Sequence, residues 1–271
     1  MDAAPATGLQ QRVWHPPRLI EQTWLRWVVG LSILLYLVVA LSTINVNIDR
    51  VIVGFARAGQ LLGGFLTPDF VSRWSDIQTG LIESLTMTVT ATVAGVLLSV
   101  PFALGAARNI APLWLYLFCR GVIAVSRAFQ DIILAIFFVA MFGFGPFAGF
   151  LTLTVSTIGF MGKLLADDIE EADAGQIEAM RATGAGFWQV LDYAVATQVM
   201  PRFIGLTAYK VDINFRESAV IGIVGAGGIG ATLNTTLDRY EYDSAAAVLL
   251  IVIAIVLACE YASSYLRKRI A

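Results

Sequence analysis

The sequence predicts an all-α fold: a single transmembrane domain, residues 1–271, built as a polytopic bundle of about six membrane-spanning helices. The composition is typical of a membrane protein, since 58% of the residues are hydrophobic and 14% are charged, with a mean hydropathy of +0.75. Long uncharged stretches recur along the chain, and about 20 apolar residues suffice for one crossing of a bilayer. Between them lies one strongly charged stretch, which hydrocarbon excludes.

Six segments have the length and composition expected of membrane spans. They lie at residues 27–44, 84–107, 128–143, 147–166, 203–224 and 244–261. The third and fourth are separated at Gly143-Phe144-Gly145-Pro146, because glycine and proline interrupt a helix. A short oblique helix is expected at residues 113–127, and an interfacial helix followed by a loop is expected at residues 45–80.

The distribution of lysine and arginine predicts the orientation. With both termini in the cytoplasm, the inside segments carry 12 of the 18 Lys and Arg residues and the outside segments carry 4, while Lys210 and Arg216 lie in the fifth span. Cytoplasmic loops of membrane proteins carry the excess of positive charge. Residues 1–26 are therefore predicted to be a cytoplasmic tail, residues 45–80 to be periplasmic, and the charged stretch to be cytoplasmic.

That charged stretch is predicted to be a helical hairpin at residues 167–200. Asp173 is suited to cap its first helix, because the carboxylate can accept hydrogen bonds from N–H groups of the first turn. This helix is expected to end near Arg181. The turn follows at residues 183–186, Thr-Gly-Ala-Gly, where glycine frees the backbone.

The second helix of the hairpin is predicted at residues 187–199 and is amphipathic. Its apolar residues recur at helical spacing on one face: Phe187, Val190, Leu191 and Ala194. Pro201 is expected to begin the next apolar segment, at the turn of a helix where proline is tolerated. A folded hairpin that projects from a membrane domain is a candidate for contact with a soluble partner.

The fifth span contains an unusual number of charges. Asp212 and Arg216 are four residues apart and can neutralise each other on one helix face, with Lys210 and Glu217 paired to other helices. Alternatively, Arg216 faces an aqueous path and meets an anionic substrate. Intramembrane charge is costly, so a functional role is the first hypothesis, and the two interpretations are compatible. The candidate substrate path or gate comprises Lys210, Asp212, Asn214, Arg216 and Glu217.

A glycine-rich segment follows the fifth span, with Gly225, Gly227 and Gly230 spelling G-x-G-x-x-G. A dinucleotide fingerprint of this form needs a preceding strand within a βαβ unit, which the sequence does not predict. The segment, which includes Gly228, is interpreted as a flexible, close-packed turn at the outer end of the span. Small residues there allow helices to approach each other.

The chain offers no recognisable site for ATP or a metal. The pattern G-x-x-x-x-G-K-[ST] is absent, so if ATP drives the protein, another subunit must supply the ATPase. The two cysteines, Cys119 and Cys259, and the one histidine, His15, lack metal-binding spacing. No catalytic residue, metal or bound cofactor is assigned, and the chain is predicted not to be an enzyme.

The hairpin resembles the coupling loop of ATP-binding-cassette importer permeases. The family pattern is Glu-Ala-Ala, three residues, Gly, nine residues, then Ile-x-Leu-Pro. Glu178-Ala179 and Gly184 stand at that spacing, with Met180 in place of the second alanine. The second half departs from the pattern, because Ala194 replaces the isoleucine and Ala196-Thr197 replaces Leu-Pro.

Further motifs are similar to those of phosphonate importer permeases, across about residues 80–266. They include Gly145-Pro-Phe-Ala-Gly149, Arg181-Ala-Thr-Gly-Ala185, Pro201-Arg-Phe-Ile-Gly-Leu206, Arg216-Glu-Ser-Ala-Val220 and Gly225-Ala-Gly-Gly-Ile-Gly230. The resemblance implies an importer-permease fold like that of methionine importers. It also implies the transmembrane subunit of an ATP-driven importer for phosphonate or a related oxyanion, phosphite or phosphate.

The same resemblance implies partners and a location. Two copies of a nucleotide-binding ATPase subunit would hold ATP and Mg²⁺, and a second permease, either the same chain or a paralogue, would complete the path. A periplasmic or lipid-anchored binding protein would deliver the oxyanion. The chain would lie in the bacterial inner membrane, in contact with lipid and not with nucleic acid. Coupling to the ATPase would fall on Glu178, Ala179, Arg181 and Gly184.

Three other functions remain open. A permease for another small solute, such as methionine, would share the coupling hairpin. A secondary transporter would move solute without ATP and often shows internal repeats. A membrane enzyme would carry His, Asp or Cys clusters near the interface. The sequence shows no clear repeat and no such cluster, and it does not specify which oxyanion is carried.

Overall fold

The computed structural model describes residues 22–43 and 48–270. Residues 1–21 of the predicted tail, including His15, lie outside the described residues. The chain divides into two compact units, Met1–Ala56 and Arg57–Ala271. All of the described secondary structure is helical.

The first unit contains helix α1, Thr23–Thr43, and the first residues of helix α2, Ile48–Gly64. Helix α1 is 21 residues long and buries none of its side chains. It coincides with the predicted first span. An apolar helix with its whole circumference uncovered is expected where lipid is the surrounding solvent.

The second unit contains the remaining helices in chain order. They are α3 (Trp74–Ala106), α4 (Leu113–Ala128), α5 (Asp131–Phe142), α6 (Pro146–Glu170), α7 (Ala174–Ala182), α8 (Phe187–Val190), α9 (Thr197–Ile223), α10 (Ile229–Asp238) and α11 (Tyr242–Ile270). Helices α3 and α6 form its centre, and α4, α5, α9 and α10 pack around them.

Three apolar clusters follow one another along α3. The first, near Ala103, Leu165 and Val199, lies at the end of the bundle that carries the hairpin. The second surrounds Met87 and Leu153 in the middle. The third lies at the opposite end and joins α3 to α10 and α11. The core therefore runs the length of the bundle, so the charged segments at its two ends are fixed to one packed unit.

Four helices in the described part of the chain are long and apolar enough to cross a membrane: α1, α3, α6 and the portion of α11 up to Tyr261. Helices α4 and α5 pass this test only together, and they are bent by 94° at the break between them. Helix α9 is 27 residues long but carries the charges of the predicted fifth span. The predicted number of about six is reached only if the bent pair and α9 also cross.

The prediction of a third span at residues 128–143 is wrong for a single helix. Helix α5 has 12 residues, which extend over about 18 Å at 1.5 Å per residue. The hydrocarbon core of a bilayer is about 30 Å thick. The oblique helix expected at residues 113–127 is present as α4, and the two form one broken unit.

The prediction that Pro201 begins a helix is also wrong. Residues 187–223 are continuously helical, with a π-helical stretch at Leu191–Ala196 between α8 and α9, and Pro201 lies inside α9. A proline within a helix keeps a helical φ, but it removes the hydrogen bond to the carbonyl four residues earlier and its ring crowds that carbonyl. Here the helix continues through Pro201 despite this cost. The second arm of the hairpin therefore runs into the fifth-span helix without a break.

Candidate functional site

The hairpin has the predicted helix–turn–helix form. The Asp173 carboxylate accepts a hydrogen bond from the backbone N–H of Gly175 at 2.8 Å and so caps α7. Gly184 has a φ of +82°, which glycine adopts without strain. Gln189 accepts from the N–H of Gly186 at 2.8 Å and fixes the start of α8. The predicted cap, helix end and turn are confirmed.

The four residues predicted to couple to an ATPase lie on the surface of this hairpin. Helix α7 buries none of its residues, and Glu178, Ala179, Arg181 and Gly184 are all exposed. Glu178 and Arg181 line a concavity of about 600 Å³ together with Asn109, Glu170 and Phe187. Apolar side chains such as Ile177 and Leu191 complete the lining, so the recess between the hairpin and the segment after α3 combines charged and apolar groups.

Only part of the predicted apolar face of the second arm is inward. Val190 and Ala194 are buried, and Leu191 packs against the first core cluster. Phe187 is 54% exposed and lies at the rim of the concavity. Phe187 is the first residue of α8 and directly follows the turn, whereas Val190, one turn later, is already buried.

An ion-pair network fixes the base of the hairpin to the bundle. The Arg120 guanidinium on α4 lies 3.0 Å from the Asp167 carboxylate and 3.0 Å from the Glu170 carboxylate, both at the end of α6. Lys163 lies 2.6 Å from Asp167. The backbone N–H of Arg108 donates to Glu170 at 2.7 Å. The end of α6, from which the hairpin departs, is thus held by α4 and by the segment after α3.

The structure divides the five residues of the predicted path into two groups on opposite sides of α9. Because a helix turns by about 100° per residue, Lys210, Asn214 and Glu217 share one side while Asp212 and Arg216 share the other. The first three interact with α3, α5 and α6. Asp212 lies near Cys259 of α11. The two groups therefore cannot act on one substrate position.

Lys210 is buried between α9 and α6. It is 2% exposed, and its Nζ lies 3.2 Å from Oγ of Ser156 and 5.3 Å from the centre of the Phe160 ring. The Ser156 hydroxyl in turn donates to the Asp131 carboxylate at 3.1 Å. Asp131 and Glu217 are the carboxylates whose charges act on Lys210. Lys210 thus contacts α6 through the Ser156 hydroxyl, and Asp131 lies on α5. Among the described residues no ion pair involves Lys210 or Glu217, so their pairing with other helices stays a prediction.

Asn214 is fully buried and joins three helices. Its side-chain NH₂ donates to the hydroxyl of Thr92 on α3 at 2.8 Å and to that of Thr157 on α6 at 2.9 Å. Both threonines donate their own protons to carbonyls one turn earlier, so each is free to accept. This arrangement assigns Asn214 to packing among α3, α6 and α9.

Asp212 and Arg216 form the predicted pair, with Nη2 of Arg216 2.8 Å from Oδ2 of Asp212. The Arg216 side chain is 55% exposed and the Asp212 side chain 5%. A similar pair lies nearer the hairpin, where Nη1 of Arg202 is 2.7 Å from Oδ1 of Asp168 on α6. Sequence reasoning missed Asp168 and Arg202 as site residues, because they lie at the ends of two segments 34 positions apart.

Asp131 and Ser156, which lie beside Lys210, were also missed as site residues. The sequence does distinguish Asp131, since it is the only acidic residue between residues 112 and 162. Ser156 had none, because a serine in an apolar helix usually bonds to its own backbone.

The glycine-rich segment is a close-packed turn at the end of α9 opposite the hairpin, as predicted. Gly225, Gly227 and Gly228 have φ between +75° and +94°. A side chain on Gly230 would meet the carbonyl oxygen of Ala219 at 2.0 Å. Glu83 of α3 accepts from the N–H of Gly228 at 3.0 Å, and the Ser84 hydroxyl accepts from the next N–H at 2.9 Å. Backbone shape and close approach, rather than phosphate binding, account for these glycines.

The same end of the bundle carries an ion pair between Arg73, which precedes α3, and Glu241, which precedes α11. The Arg73 guanidinium donates from Nη2 to Oε1 of Glu241 at 2.9 Å and from Nε to Oε2, and its Nη1 lies 3.0 Å from Asp76. The hydrogen bonds from Arg73 hold the pKa of Glu241 below its ordinary value, and those to Glu241 raise the pKa of Arg73. In the described residues no group of three or more His, Cys, Asp or Glu side chains is arranged to hold a metal ion.

Residues 96–271 match the family of binding-protein-dependent transport system inner membrane components. The chain belongs to this family. Its members are the permease subunits of ATP-binding-cassette importers, in agreement with the expected fold and function.

Individual relatives support the assignment. The chain is 41% identical over 204 residues to the phosphate-import permease protein PhnE of Mycolicibacterium smegmatis, which covers 75% of the chain and 38% of that protein. It is 35% identical over 236 residues to the putative phosphite transport system permease protein HtxC of Stutzerimonas stutzeri, covering 87% and 83%. The chain thus spans less than half the length of the first relative and most of the second.

A solved structure shares the fold. The structure is described as an inward-facing conformation of the MetNI methionine ABC transporter, and it superposes with a TM-score of 0.60 at 22% identity over 71% of this chain and 94% of that one. The importer-permease fold expected from the resemblance is therefore confirmed.

Proposed function

We propose that this permease forms the translocation path of an ATP-driven importer for phosphonate or a related phosphorus oxyanion, phosphite or phosphate. The observation that carries the proposal is the 41% and 35% identity to permeases named for phosphate import and phosphite transport. The likeness to a methionine transporter is weaker in sequence, at 22%, and concerns the fold. A methionine permease is therefore the second candidate, and a secondary transporter is less favoured because the family works with a binding protein.

The partners follow from what the chain contains and lacks. It has no P-loop, so ATP and Mg²⁺ would be held by a separate ATPase subunit, of which the resemblance to importer permeases implies two copies. We assign Glu178, Ala179, Arg181 and Gly184 to the contact with that subunit, because they are exposed on a hairpin whose base is held by Arg120. A periplasmic or lipid-anchored binding protein would supply the oxyanion at the opposite end.

The location is the bacterial inner membrane, with both termini and the hairpin in the cytoplasm. The excess of Lys and Arg on that side supports this orientation. A second permease, the same chain or a paralogue, would face the exposed side of α9. An exposed guanidinium such as that of Arg216 is costly against lipid, and a polar path between two permeases would solvate it.

Two measurements test the proposal. The first is purification from membranes in mild detergent with mass identification of every bound subunit, followed by uptake of phosphonate, phosphite, phosphate and methionine into proteoliposomes. We expect an ATPase to co-purify and oxyanion uptake to require ATP and binding protein. Uptake without an attached ATPase, or uptake of methionine alone, would overturn the proposal.

The second measurement is the side of the hairpin. A cysteine placed at Arg181 in a chain lacking Cys119 and Cys259 should react with a membrane-impermeant thiol reagent only in inverted vesicles. Reaction only in right-side-out vesicles would place the hairpin outside and remove it from the ATPase.

A further inference from the structure

Two arginine–aspartate pairs, Arg202–Asp168 and Arg216–Asp212, share the same pattern of exposure and burial. In each, the arginine side chain is more than half exposed, at 59% for Arg202 and 55% for Arg216, while the partner aspartate side chain is 6% exposed for Asp168 and 5% for Asp212. In each, one carboxylate oxygen bonds the arginine. The other oxygen, Oδ2 of Asp168 or Oδ1 of Asp212, is buried and has no hydrogen-bond partner among the described residues.

The two arginines lie on one face of α9. They are 14 residues apart, which is close to a whole number of turns and a distance of about 21 Å along the helix. Tyr209 lies midway, seven residues from each, and it is also exposed. This face bears two cations and an aromatic hydroxyl at regular spacing, whereas the carboxylates are withdrawn beneath it.

Such pairs are unsuited to a purely stabilising role. A buried carboxylate with an unpartnered oxygen costs free energy, and an exposed arginine on the same pair gains little from the attraction. The arrangement instead leaves more than half of each arginine side chain exposed, while one of its amino groups contacts the aspartate. A planar guanidinium is the side chain best matched to a phosphorus or carboxylate oxyanion.

We propose that Arg216 and Arg202 are two successive binding sites, here called stations, for the translocated oxyanion. Asp212 and Asp168 are the counterions of these arginines, and each exchanges places with the oxyanion at its guanidinium. This inference rests on the proposed function. The anion displaces the aspartate from each guanidinium when it arrives, and the aspartate displaces the anion when it leaves. Each station thereby returns to a neutral pair after the anion has passed.

The exchange provides weak, sequential binding. A path must bind its ion well enough to admit it and weakly enough to release it, and several sites satisfy this condition better than one. An arginine without a counterion would hold a dianion too long. The aspartates lower this affinity without adding a repulsive charge to the exposed surface, because they lie behind the guanidinium.

The test uses the complete reconstituted importer with its ATPase and binding protein. Asp212→Asn keeps the shape and removes the competing charge. We expect a Km for oxyanion uptake that is roughly threefold to tenfold lower, together with a maximum rate that is lower by a similar factor, because release becomes slower. A higher or unchanged Km with normal assembly would overturn the exchange.

A double variant separates exchange from structural pairing. Arg216→Gln with Asp212→Asn replaces the ion pair by a neutral pair of similar size, so assembly and unfolding temperature should be near those of the wild type. We expect uptake to be lost while the ATPase still co-purifies. If the double variant transports normally, the pair has a structural role only and the inference fails.

The Arg202 station is tested in the same way with Arg202→Gln and Asp168→Asn. Because Arg202 lies near the hairpin end of α9, a lipid phosphate is the other source of the same chemistry. Uptake is therefore measured in vesicles with and without anionic lipid. Loss of uptake in both vesicle types supports a station for the substrate. Normal uptake, with only the dependence on anionic lipid removed, would assign Arg202 to lipid and overturn the second station.

These outcomes are distinct from failure of the proposed function. If the wild-type importer takes up no phosphorus oxyanion, the proposed function fails and the stations fail with it. If the wild type takes it up and the aspartate variants change neither Km nor rate in the expected sense, only the exchange fails.

Discussion

The side chain of Arg120 on α4 reaches Asp167 on α6, with Nη1 3.0 Å from Oδ1. Its second amino group lies 3.0 Å from Glu170, and its Nε donates to the carbonyl of Ala106 at the end of α3. One guanidinium thus joins three helices at the point where the hairpin leaves the bundle. We expect a force on the hairpin to pass through this junction into α3, α4 and α6.

We expect Arg120→Gln to destabilise the chain by about 1–3 kcal/mol, because hydrogen bonds to charged groups are lost and two carboxylates are left without their shared cation. The unfolding temperature in detergent should fall, and ATP-driven uptake should fall with it. Arg127→Gln is the matched control, since Arg127 is exposed on the same helix. Equal unfolding temperatures for the two variants would show that the junction is unimportant.

Gly184 should tolerate asparagine and not valine. Its φ of +82° disfavours a β-branched residue by about 1–2 kcal/mol, while nothing lies within 4 Å of an added Cβ. Asparagine adopts this conformation more readily. We expect Gly184→Val to weaken retention of the ATPase and uptake, and Gly184→Asn to preserve both. Identical behaviour of the two variants would mean that backbone shape at the turn is irrelevant to coupling.

Asn214→Ala should cost about 0.6–1.7 kcal/mol of stability, the range found for hydrogen bonds between membrane helices. The loss arises because Thr92 and Thr157 no longer receive the amide protons. Combining it with Thr157→Val in a double-mutant cycle measures the bond itself, because both partners are removed together. Strictly additive effects in unfolding measurements would argue against the bond.

The Arg73–Glu241 pair should make stability depend on pH in the acidic range. The folded pKa of Glu241 lies below its unfolded value of about 4.3, so its contribution is present above that pH and is lost as the pH falls through the folded pKa. Glu241→Gln should lower the unfolding temperature at pH 7, and the difference from wild type should shrink below pH 4. The exposed Asp192→Asn serves as the control, and a difference that persists unchanged at pH 3 would refute the assignment.

Much of the fold was predictable because its signals are local. The cap at Asp173, the break at Gly184 and the length of the long apolar helices depend on residues within a few turns of one another. The pairing of Asp212 with Arg216 was predictable for the same reason, since four residues place two side chains on one helix face. The third span was misjudged because composition does not reveal a 94° bend between α4 and α5.

The grouping of the site residues was not predictable. Lys210 and Arg216 are both cations of one helix, yet only packing decides that the first is enclosed by α5 and α6 while the second is exposed. The pairing of Arg202 with Asp168 depends on the packing of α9 against α6 and could not be predicted from the sequence.

The sequence by itself determined that the chain is an all-α membrane permease with a charged hairpin between apolar helices, because hydrophobicity, capping and turn chemistry act over short separations. Only the tertiary structure decided which charges pair between helices, which are enclosed and which are exposed, because those outcomes depend on contacts between residues far apart in the chain. The two arginines of α9 show the difference: the exposure of their side chains and the burial of Asp212 and Asp168 are set by the helices packed around them.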